Sequence, residues 1–450
     1  MIDTLTKKLK PIKLFYLVVV FAGAQLLLAG KALAQDHEEK SDGPPEGEIE
    51  TVLTPANKDA VFTKNARYTF EVKNPTNTVQ EGKISYIVMD DYGKMLHRDS
   101  VAVKIAKQSA EKFNFEIPGK GVGFYKVNFM INVSEYDDTT RRVFGIQPEK
   151  IVSRFNKPAD FEAFWDNVKT DLAKVKPKFK VTAMPKMDKD NRHVYLIEMQ
   201  SLGDMTIRGW MTVPINKNPN RKFSVLLGLP GYQVNLDPLM GVDDDLAIIT
   251  LNVRGQGNSR GPVNTRRDEF IFHHIENKNK YVMRGVIADC LRAIDFIYSR
   301  PELKHDQILA SGGSMGGYLA IATASLDKRV KLCSAQNPIF CDIRALPGAV
   351  DWPMSSITKY IGTQPGLTLN KVLDNLDYYD AKNFASNIHC STIMGIGLLD
   401  PFAPPTAEYG AFNSLKGEKR MMIFKDLGHE ISQAYKNLEG RWMRDTFALF

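Results

Sequence analysis

The sequence predicts an α/β fold, built on a mostly parallel β-sheet with helices on both faces, that is preceded by an antiparallel, immunoglobulin-like β-sandwich. The first observation is a period-two alternation of apolar and polar residues over residues 50–150. The second is a series of short apolar runs that alternate with helical patterns over residues 151–450. The third is a glycine-rich turn, Gly312-Gly313-Ser314-Met315-Gly316, between an apolar run and a small-residue helical pattern. We therefore expect two domains, with the chemistry located in the second.

The first 34 residues have the pattern of a secretory signal peptide. Four lysines between Lys7 and Lys13 precede an apolar run at Leu14–Gly30, and Ala32-Leu33-Ala34 offers a small-residue cleavage site. The run is short for a membrane span, and no cysteine lies near the cleavage point, so no stable membrane anchor is expected. Residues 35–49 are acidic and rich in Pro and Gly, which is typical of a solvated linker. We expect an exported protein, periplasmic or extracellular.

The charge distribution and the cysteine spacing argue against a nucleic-acid partner and against a zinc site. The net charge is +7, of which residues 1–34 contribute +4, and the remaining charge is spread along the chain without basic blocks. A nucleic-acid partner is therefore not expected. The four cysteines match no zinc-ligand spacing, which favours buried free thiols over a metal site: Cys290, Cys333, Cys341 and Cys390.

The N-terminal domain is predicted from short alternating strands separated by turns. Such strands at this spacing are typical of an antiparallel sandwich. The domain has no cluster of exposed aromatic residues or carboxylates that would mark a ligand site, so a spacer or interface role is favoured over carbohydrate binding. The alternating runs are Tyr68–Val72, Ile84–Val88, Val101–Ile105, Phe113–Ile117 and Val127–Val133.

The second domain begins with a helix after Pro158-Ala159-Asp160, which has apolar residues at helical spacing and ends before Pro177. Several of the strands that follow lack alternation, as strands buried on both faces do. One further helix, Met283–Ser299, leads into the strand before the glycine-rich turn. The predicted strands are Val194–Gln200, Met205–Val213, Phe223–Leu229, Ala247–Val253, Gln307–Ser311, Lys331–Ala335, Thr392–Leu398 and Arg420–Phe424.

Ser314 is the candidate nucleophile. A G-x-S-x-G turn between a strand and a helix needs its glycines because flanking side chains would clash in the strained turn. The turn lifts the Ser314 hydroxyl clear of the sheet and directs the N–H of the next residue toward the same reacting atom. A serine hydroxyl alone is a weak nucleophile, so a base is required.

The base and the acid are expected after Ser314, because in α/β-hydrolases the order along the chain is Ser, Asp or Glu, then His. Only two histidines follow. His389 precedes a strand and is expected at the opposite edge of the sheet, whereas His429 follows one and is the candidate base. Asp400 directly follows the run Thr392–Leu399 and is the favoured acid, with Asp426, on the loop of His429 itself, as its competitor.

Two backbone N–H groups are candidates for stabilising an oxyanion, those of Met315 and Tyr232. Met315 follows the nucleophile, and Tyr232 lies on the loop Leu229-Pro230-Gly231 after an early strand. Arg254 and Gln256 are expected to brace the active-site loops.

Trp352, in a segment that interrupts the strand–helix rhythm, is a candidate for lining the acyl or sugar pocket. His273-His274 are expected in a polar helical stretch and at the surface, because they lack metal-ligand partners. Asp243-Asp244-Asp245 is expected to be a solvated loop.

About 300 C-terminal residues resemble the acetyl xylan esterase / cephalosporin-C deacetylase family, carbohydrate esterase family seven. The resemblance implies an α/β-hydrolase fold and serine-dependent deacetylation of acetylated sugars or xylo-oligosaccharides, without a metal or other cofactor. It also implies a triad at Ser314, Asp400 and His429, with Tyr232 and Met315 as oxyanion donors, and often a ring-like homo-oligomer. The motifs that carry it are Asp160-Phe-Glu-Ala-Phe-Trp165, Arg208-Gly-Trp-Met-Thr-Val-Pro214, Arg254-Gly255-Gln256-Gly257, Arg284-Gly285-Val286-Ile287-Ala288-Asp289, Gly312-Gly313-Ser314-Met315-Gly316-Gly317 and His429-Glu430.

Two residues depart from the family pattern and leave the substrate open. Met315 stands where the family usually has Gln, and Pro230 stands where it usually has His. A larger-acyl esterase or a peptidase on the same scaffold is therefore an alternative, since a fold does not determine the substrate. A carbohydrate-binding protein that has lost catalysis is a second alternative, against which the ordered Ser, Asp and His residues argue.

Overall fold

A computed structural model describes residues 47–154, 157–241, 245–261, 263 and 265–449. The predicted signal peptide, most of the predicted linker, and Asp243 and Asp244 lie outside the described residues. Within the described part of the chain, every helix is too short or too polar to span a membrane.

Residues 50–146 form two small sheets whose apolar side chains meet in one cluster. A three-stranded sheet has the order β1-β3-β6, and a five-stranded sheet has the order β2-β8-β7-β4-β5. All strand pairs are antiparallel except β2 with β8. The alternation that predicted strands places Phe70 and Phe129 inward, where their rings stack 6.1 Å apart. The strands are β1 (Glu50–Pro55), β2 (Val61–Phe62), β3 (Ala66–Asn74), β4 (Gln80–Met89), β5 (Met95–Ile105), β6 (Ser109–Ile117), β7 (Gly123–Val133) and β8 (Tyr136–Ile146).

The second part of the chain contains a nine-stranded sheet in the order β17-β16-β15-β14-β12-β13-β11-β10-β9. The strands from β13 through β12 to β17 pair in parallel, and β9, β10 and β11 extend the sheet antiparallel. The prediction of a mostly parallel sheet is confirmed. The strands are β9 (Lys180–Ala183), β10 (Arg192–Ser201), β11 (Met205–Pro214), β12 (Phe223–Leu229), β13 (Leu246–Asn252), β14 (Leu303–Gly313), β15 (Leu332–Gln336), β16 (Ser391–Gly397) and β17 (Lys419–Phe424).

Helices cover both faces of this sheet. The main core lies on one face, where α1, α2 and α3 pack against alternate residues of the strands, such as Val225 and Ile249. On the other face, Met443 and Phe447 of α8 pack against Ile248 and Leu309. The segment Phe340–Asp380, which interrupts the strand–helix rhythm in the sequence, contains α4 and α5. The helices are α1 (Phe161–Lys174), α2 (Val282–Tyr298), α3 (Met315–Leu326), α4 (Met354–Gly362), α5 (Leu369–Leu376), α6 (Ala381–Ala385), α7 (Pro405–Ser414) and α8 (Gln433–Phe447).

The N-terminal sheets and the large sheet are joined through apolar contacts beside β16. Ile396 and Leu398 of the β16 region and Tyr409 of α7 belong to the same buried cluster as the N-terminal core. The ring of Tyr409 lies 5.3 Å from that of Phe124 on β7. The two parts of the chain therefore share a hydrophobic core at the strand that leads to Asp400.

Candidate active site

Ser314 lies at the turn between β14 and α3 with a strained backbone, φ 59° and ψ −124°. Its N–H donates a 2.8 Å hydrogen bond to the carbonyl of Gln336 at the end of β15, which holds the turn against the sheet. The turn requires glycine at Gly316, because a Cβ there would lie 2.3 Å from the Leu229 carbonyl oxygen. The predicted strand–turn–helix arrangement is therefore present, with the hydroxyl of Ser314 at its apex.

A continuous chain of hydrogen bonds links Ser314, His429 and Asp400. The distance from His429 Nε2 to Ser314 Oγ is 2.8 Å, and that from His429 Nδ1 to Asp400 Oδ2 is 2.6 Å. The other oxygen of Asp400 accepts hydrogen bonds of 2.8 and 2.9 Å from the N–H groups of Phe402 and Ala403. One oxygen of the buried carboxylate is thus held by two backbone N–H groups, and the other oxygen faces the imidazole.

The two candidate oxyanion donors lie on neighbouring loops. Met315 is the first residue of α3, so its N–H has no acceptor within the helix. The loop that carries Tyr232 contacts the serine turn, since a Cβ on Gly231 would lie 3.8 Å from the Gly313 carbonyl oxygen. The Tyr232 hydroxyl donates to the carbonyl of Arg267, and burial raises the pKa of this phenol above its ordinary value. The side chain of Tyr232 is thereby anchored to the segment that contains Arg267.

Gln256 supports the same loop. Its side-chain oxygen accepts a hydrogen bond from the N–H of Gln233, the residue after Tyr232. Gln233 has a positive φ of 56°, so the loop is held in an uncommon conformation at this point. Gln256 is therefore bonded to the loop that carries Tyr232.

A row of aromatic rings lies beside the imidazole. The ring of Phe402 is 5.1 Å from that of His429 and perpendicular to it, and Trp352 is 5.8 Å from Phe402 and 5.1 Å from Tyr232. Trp352 is thus one ring removed from His429. The sequence did not predict that Phe402 contacts the imidazole. Its position two residues after Asp400 was the only signal for this contact.

Arg254 forms a buried ion pair with Asp289 of α2. Arg254 Nη2 is 2.7 Å from Asp289 Oδ1, Nε is 2.9 Å from Oδ2, and the Arg254 N–H also donates to Oδ2. A further bond of 2.9 Å reaches the carbonyl of Leu202. These contacts join the loop after β13 to α2 and to the β10–β11 turn.

Replacement of Arg254 by alanine is expected to lower the free energy of unfolding by about 3–5 kcal/mol, because Asp289, 0 % exposed, would be left as an unpaired buried charge. Urea unfolding followed by circular dichroism measures the change. Arg266→Ala is the control, since it breaks a solvent-exposed pair with Glu269 that contributes roughly 0–1 kcal/mol. Equal effects of the two substitutions would contradict the assignment.

The structure keeps the remaining candidates away from the serine. His389 precedes β16 and lies at the opposite edge of the sheet from His429. Asp426, the competing acid, is 53 % exposed and pairs with Lys425 and Arg142. His273 and His274 follow a single 3-10 turn rather than lying within a longer helix, and line a separate cavity of about 540 Å³.

The arrangement of possible metal ligands and the state of the cysteines are also defined. Among the described residues, no group of three or more His, Cys, Asp or Glu side chains is arranged to hold a metal ion. The four cysteines are free thiols, and three of them, Cys290, Cys333 and Cys341, are buried.

Glu408 of α7 is a buried carboxyl group near Asp400 that sequence reasoning did not identify. Neither of its oxygens has a hydrogen-bond partner among the described residues. Burial, and secondly the charge of Asp400, raise the pKa of Glu408 well above its ordinary value. Because the folded state keeps this group protonated while the unfolded state ionises it, its contribution to stability decreases as the pH rises above the unfolded pKa.

Glu408→Gln is therefore expected to make stability less sensitive to pH. Between pH 5 and 7 the free energy of unfolding of the variant should fall less steeply than that of the parent protein, by at most about 1.4 kcal/mol per pH unit. Urea midpoints at several pH values provide the measurement. The exposed Glu111→Gln is the control, and parallel curves for Glu408→Gln and the parent would contradict the expectation.

Comparisons with known proteins cover the part of the chain that carries this site. The family model described as "Acetyl xylan esterase (AXE1)" matches residues 149–445. The acetyl esterase Axe7A of Xylanibacter ruminicola is 26 % identical over 292 residues, which cover 62 % of this chain and 65 % of Axe7A. The match thus spans slightly less than two thirds of that relative.

Two solved structures share the fold. An acetyl xylan esterase from Paenibacillus sp. R4 is 27 % identical and has a TM-score of 0.60, with 66 % of this chain and 98 % of that chain covered. Acetyl xylan esterase 1 from Thermoanaerobacterium sp. JW/SL YS485 is 22 % identical and has a TM-score of 0.60, with 67 % of this chain and 98 % of that chain covered. The family model spans well over half of the sequence, and the resemblance seen in the motifs is confirmed: the chain belongs to the acetyl xylan esterase family, a family of serine carboxylic ester hydrolases with an α/β-hydrolase fold.

Proposed function

We propose that this protein is an exported serine esterase that removes acetyl groups from acetylated sugars or xylo-oligosaccharides through an acetyl-enzyme intermediate. The observation that carries the proposal is the chain of hydrogen bonds from Ser314 through His429 to Asp400, on the strained turn. Serine, imidazole and carboxylate in this order are the arrangement that activates a hydroxyl for acyl transfer.

In the proposed reaction, Ser314 Oγ attacks the acetyl carbonyl carbon while His429 Nε2 takes its proton. Asp400 keeps the other ring nitrogen protonated and stabilises the imidazolium that forms. The N–H groups of Met315 and Tyr232 donate to the oxyanion of the tetrahedral intermediate. His429 then protonates the departing sugar oxygen, and a water molecule, deprotonated by His429, releases acetate from Ser314.

The surroundings of His429 support a carbohydrate ester as substrate. Phe402 and Trp352 present apolar ring surface beside the imidazole, and a pyranose offers an apolar face to such rings. Pro230 and Met315, which depart from the family pattern, are both buried, and the proposal gives them an effect on the pocket through packing alone. The names of Axe7A and of the Paenibacillus enzyme, an acetyl esterase and an acetyl xylan esterase, point to the same chemistry.

The proposal extends to the rest of the chain. Residues 50–150 are proposed to be an immunoglobulin-like sandwich that serves as a spacer or interface, and residues 151–450 to be the catalytic domain. A cleaved signal peptide at residues 1–34 and the linker 35–49 would place the protein in the periplasm or outside the cell. Homo-oligomer formation is part of the same proposal, and size-exclusion chromatography with light scattering tests it.

The decisive experiment measures acetate release from acetylated xylo-oligosaccharides, beside hydrolysis of p-nitrophenyl acetate, butyrate and octanoate. We expect acetate release from the sugar and a steep loss of kcat/KM from acetate to octanoate. Hydrolysis of p-nitrophenyl esters without acetate release from the sugar would overturn the carbohydrate substrate while leaving an esterase. Inactivity on all of these substrates would overturn the enzymatic proposal.

A further inference from the structure

Asn337 is a buried residue at the point where the loops of the candidate triad meet. It follows β15 directly, is 1 % exposed, and has a left-handed backbone with φ 43°. Its neighbour Gln336 accepts the hydrogen bond from the N–H of Ser314. Asn337 thus lies one residue away from the contact that holds the nucleophile turn in place.

The side chain of Asn337 connects the loop of Asp400 to the loop of His429. Its Oδ1 accepts a 3.0 Å hydrogen bond from the N–H of Gly397, three residues before Asp400. Its Nδ2 donates to the carbonyls of Gly428 and Glu430, at 3.4 and 3.2 Å, on either side of His429. The backbone N–H adds a 2.8 Å bond to the carbonyl of Gly395 on β16.

Few residues could satisfy these requirements together. A carboxamide offers one acceptor and two donors on adjacent atoms, which matches one N–H and two carbonyls. An aspartate could accept from Gly397 but could not donate to both carbonyls. A left-handed backbone is costly for most side chains and is tolerated by asparagine. Strained, buried residues of this kind persist where the surroundings hold them, often at functional sites.

We propose that Asn337 is a positioning residue that sets the distance between the acid loop and the base loop. By holding the peptide groups on both sides of His429 relative to β16, it sets where Nε2 lies relative to Ser314 Oγ. A bond from Leu399 N–H to the Leu427 carbonyl, 2.9 Å long, also joins the two loops, but it acts before His429. Asn337 is bound on both sides of the histidine. The inference rests on the proposed function, because it assigns His429 the role of base.

Two variants test the proposal. Asn337→Gly keeps the left-handed backbone and removes the side chain. Asn337→Asp keeps the shape and the bond from Gly397 but places an oxygen against the two carbonyls. We expect kcat for p-nitrophenyl acetate to fall roughly 10- to 100-fold in both, since a misplacement of about 1 Å costs on the order of 100-fold. KM should change by less than about twofold, because Asn337 is not expected to touch the ester.

The matched control is Asn74→Asp. Asn74 is equally buried, donates through Nδ2 to the carbonyls of Thr78 and Ala106, and accepts from the N–H of Thr76. It lies in the N-terminal sheets. This control is expected to lower the melting temperature while leaving kcat unchanged, which separates positioning from general stability. If Asn337→Gly does not fold, Asn337→Asp carries the test.

A second readout is the rate at which a fluorophosphonate labels Ser314. This labelling reaction requires the Ser–His pair but no sugar substrate. Slower labelling of both Asn337 variants, beside unchanged labelling of Asn74→Asp, is the expected result. Folded Asn337 variants with kcat and labelling within about twofold of the parent would overturn the inference. A loss of kcat in Asn74→Asp equal to that in the Asn337 variants would also overturn the inference. Failure of the parent to release acetate from sugar, with labelling intact, would count against the proposed substrate and leave the role of Asn337 standing.

Discussion

Ser314→Ala is expected to lower kcat for p-nitrophenyl acetate by on the order of 10⁴-fold or more, because the proposed nucleophile of the acyl transfer is lost. The fold should remain intact. The Ser314 hydroxyl bonds to His429, whereas the turn is held by the backbone N–H of residue 314, which alanine keeps. Stopped assays of p-nitrophenol release measure kcat, and fluorophosphonate labelling should disappear in the variant.

The control for this experiment lies on the same strand. Ser311 of β14 directs its hydroxyl to Glu439 of α8, on the face of the sheet away from α3. Ser311→Ala is expected to keep kcat within a few-fold of the parent. Retention of more than a tenth of the activity by Ser314→Ala would show that another residue attacks the ester.

Asp400→Asn is expected to lower kcat by about 10⁴-fold, as an amide in this position selects the wrong imidazole tautomer. The amide oxygen would keep the bonds from the N–H groups of Phe402 and Ala403, which leaves the NH₂ group facing His429 Nδ1. The imidazole would then carry its proton on Nε2 and could not accept the proton of Ser314. A pH-independent loss of kcat, with KM largely unchanged, is the expected result.

Asp426→Asn separates the two candidate acids. Asp426 lies on the surface in pairs with Lys425 and Arg142, and exposed pairs of this kind contribute roughly 0–1 kcal/mol. Its replacement should leave kcat near the parent value. A larger loss from Asp426→Asn than from Asp400→Asn would show that the acid had been assigned to the wrong residue.

The positions of Ser314, Asp400 and His429 could be predicted because each depends on local pattern. Ser314 stands in a turn whose glycines are visible in the sequence, Asp400 follows an apolar run, and His429 lies on the loop after the next strand. Parallel strands bring their carboxyl ends to one edge of the sheet, so residues far apart in the chain are expected to meet there. His389 was set aside by the same reasoning, and it indeed precedes β16.

Features that depend on packing between distant segments could not be predicted. Phe402 lies over His429 because of the path of the loop after Asp400, which no periodicity describes. Glu408 occurs in a helix where a carboxylate is normally solvent-exposed, and only the packing around α7 shows that it is buried. Strand β9, Lys180–Ala183, has mostly exposed residues and is defined by its pairing with β10 rather than by alternation.

The apolar contact between the N-terminal sheets and β16 has a consequence for how this enzyme can be handled. The family model matches residues 149–445, so the N-terminal sheets lie outside that match, and the solved relatives cover 66 % and 67 % of the chain with 98 % of their own length. A fragment trimmed to match them would uncover Tyr409 and the neighbouring side chains of β16, next to the strand end that carries Asp400. Uncovered apolar surface of this kind promotes self-association. We therefore expect a fragment without the N-terminal sheets to self-associate, and grafting, crystallisation or directed evolution of this enzyme should begin from the chain that keeps both parts.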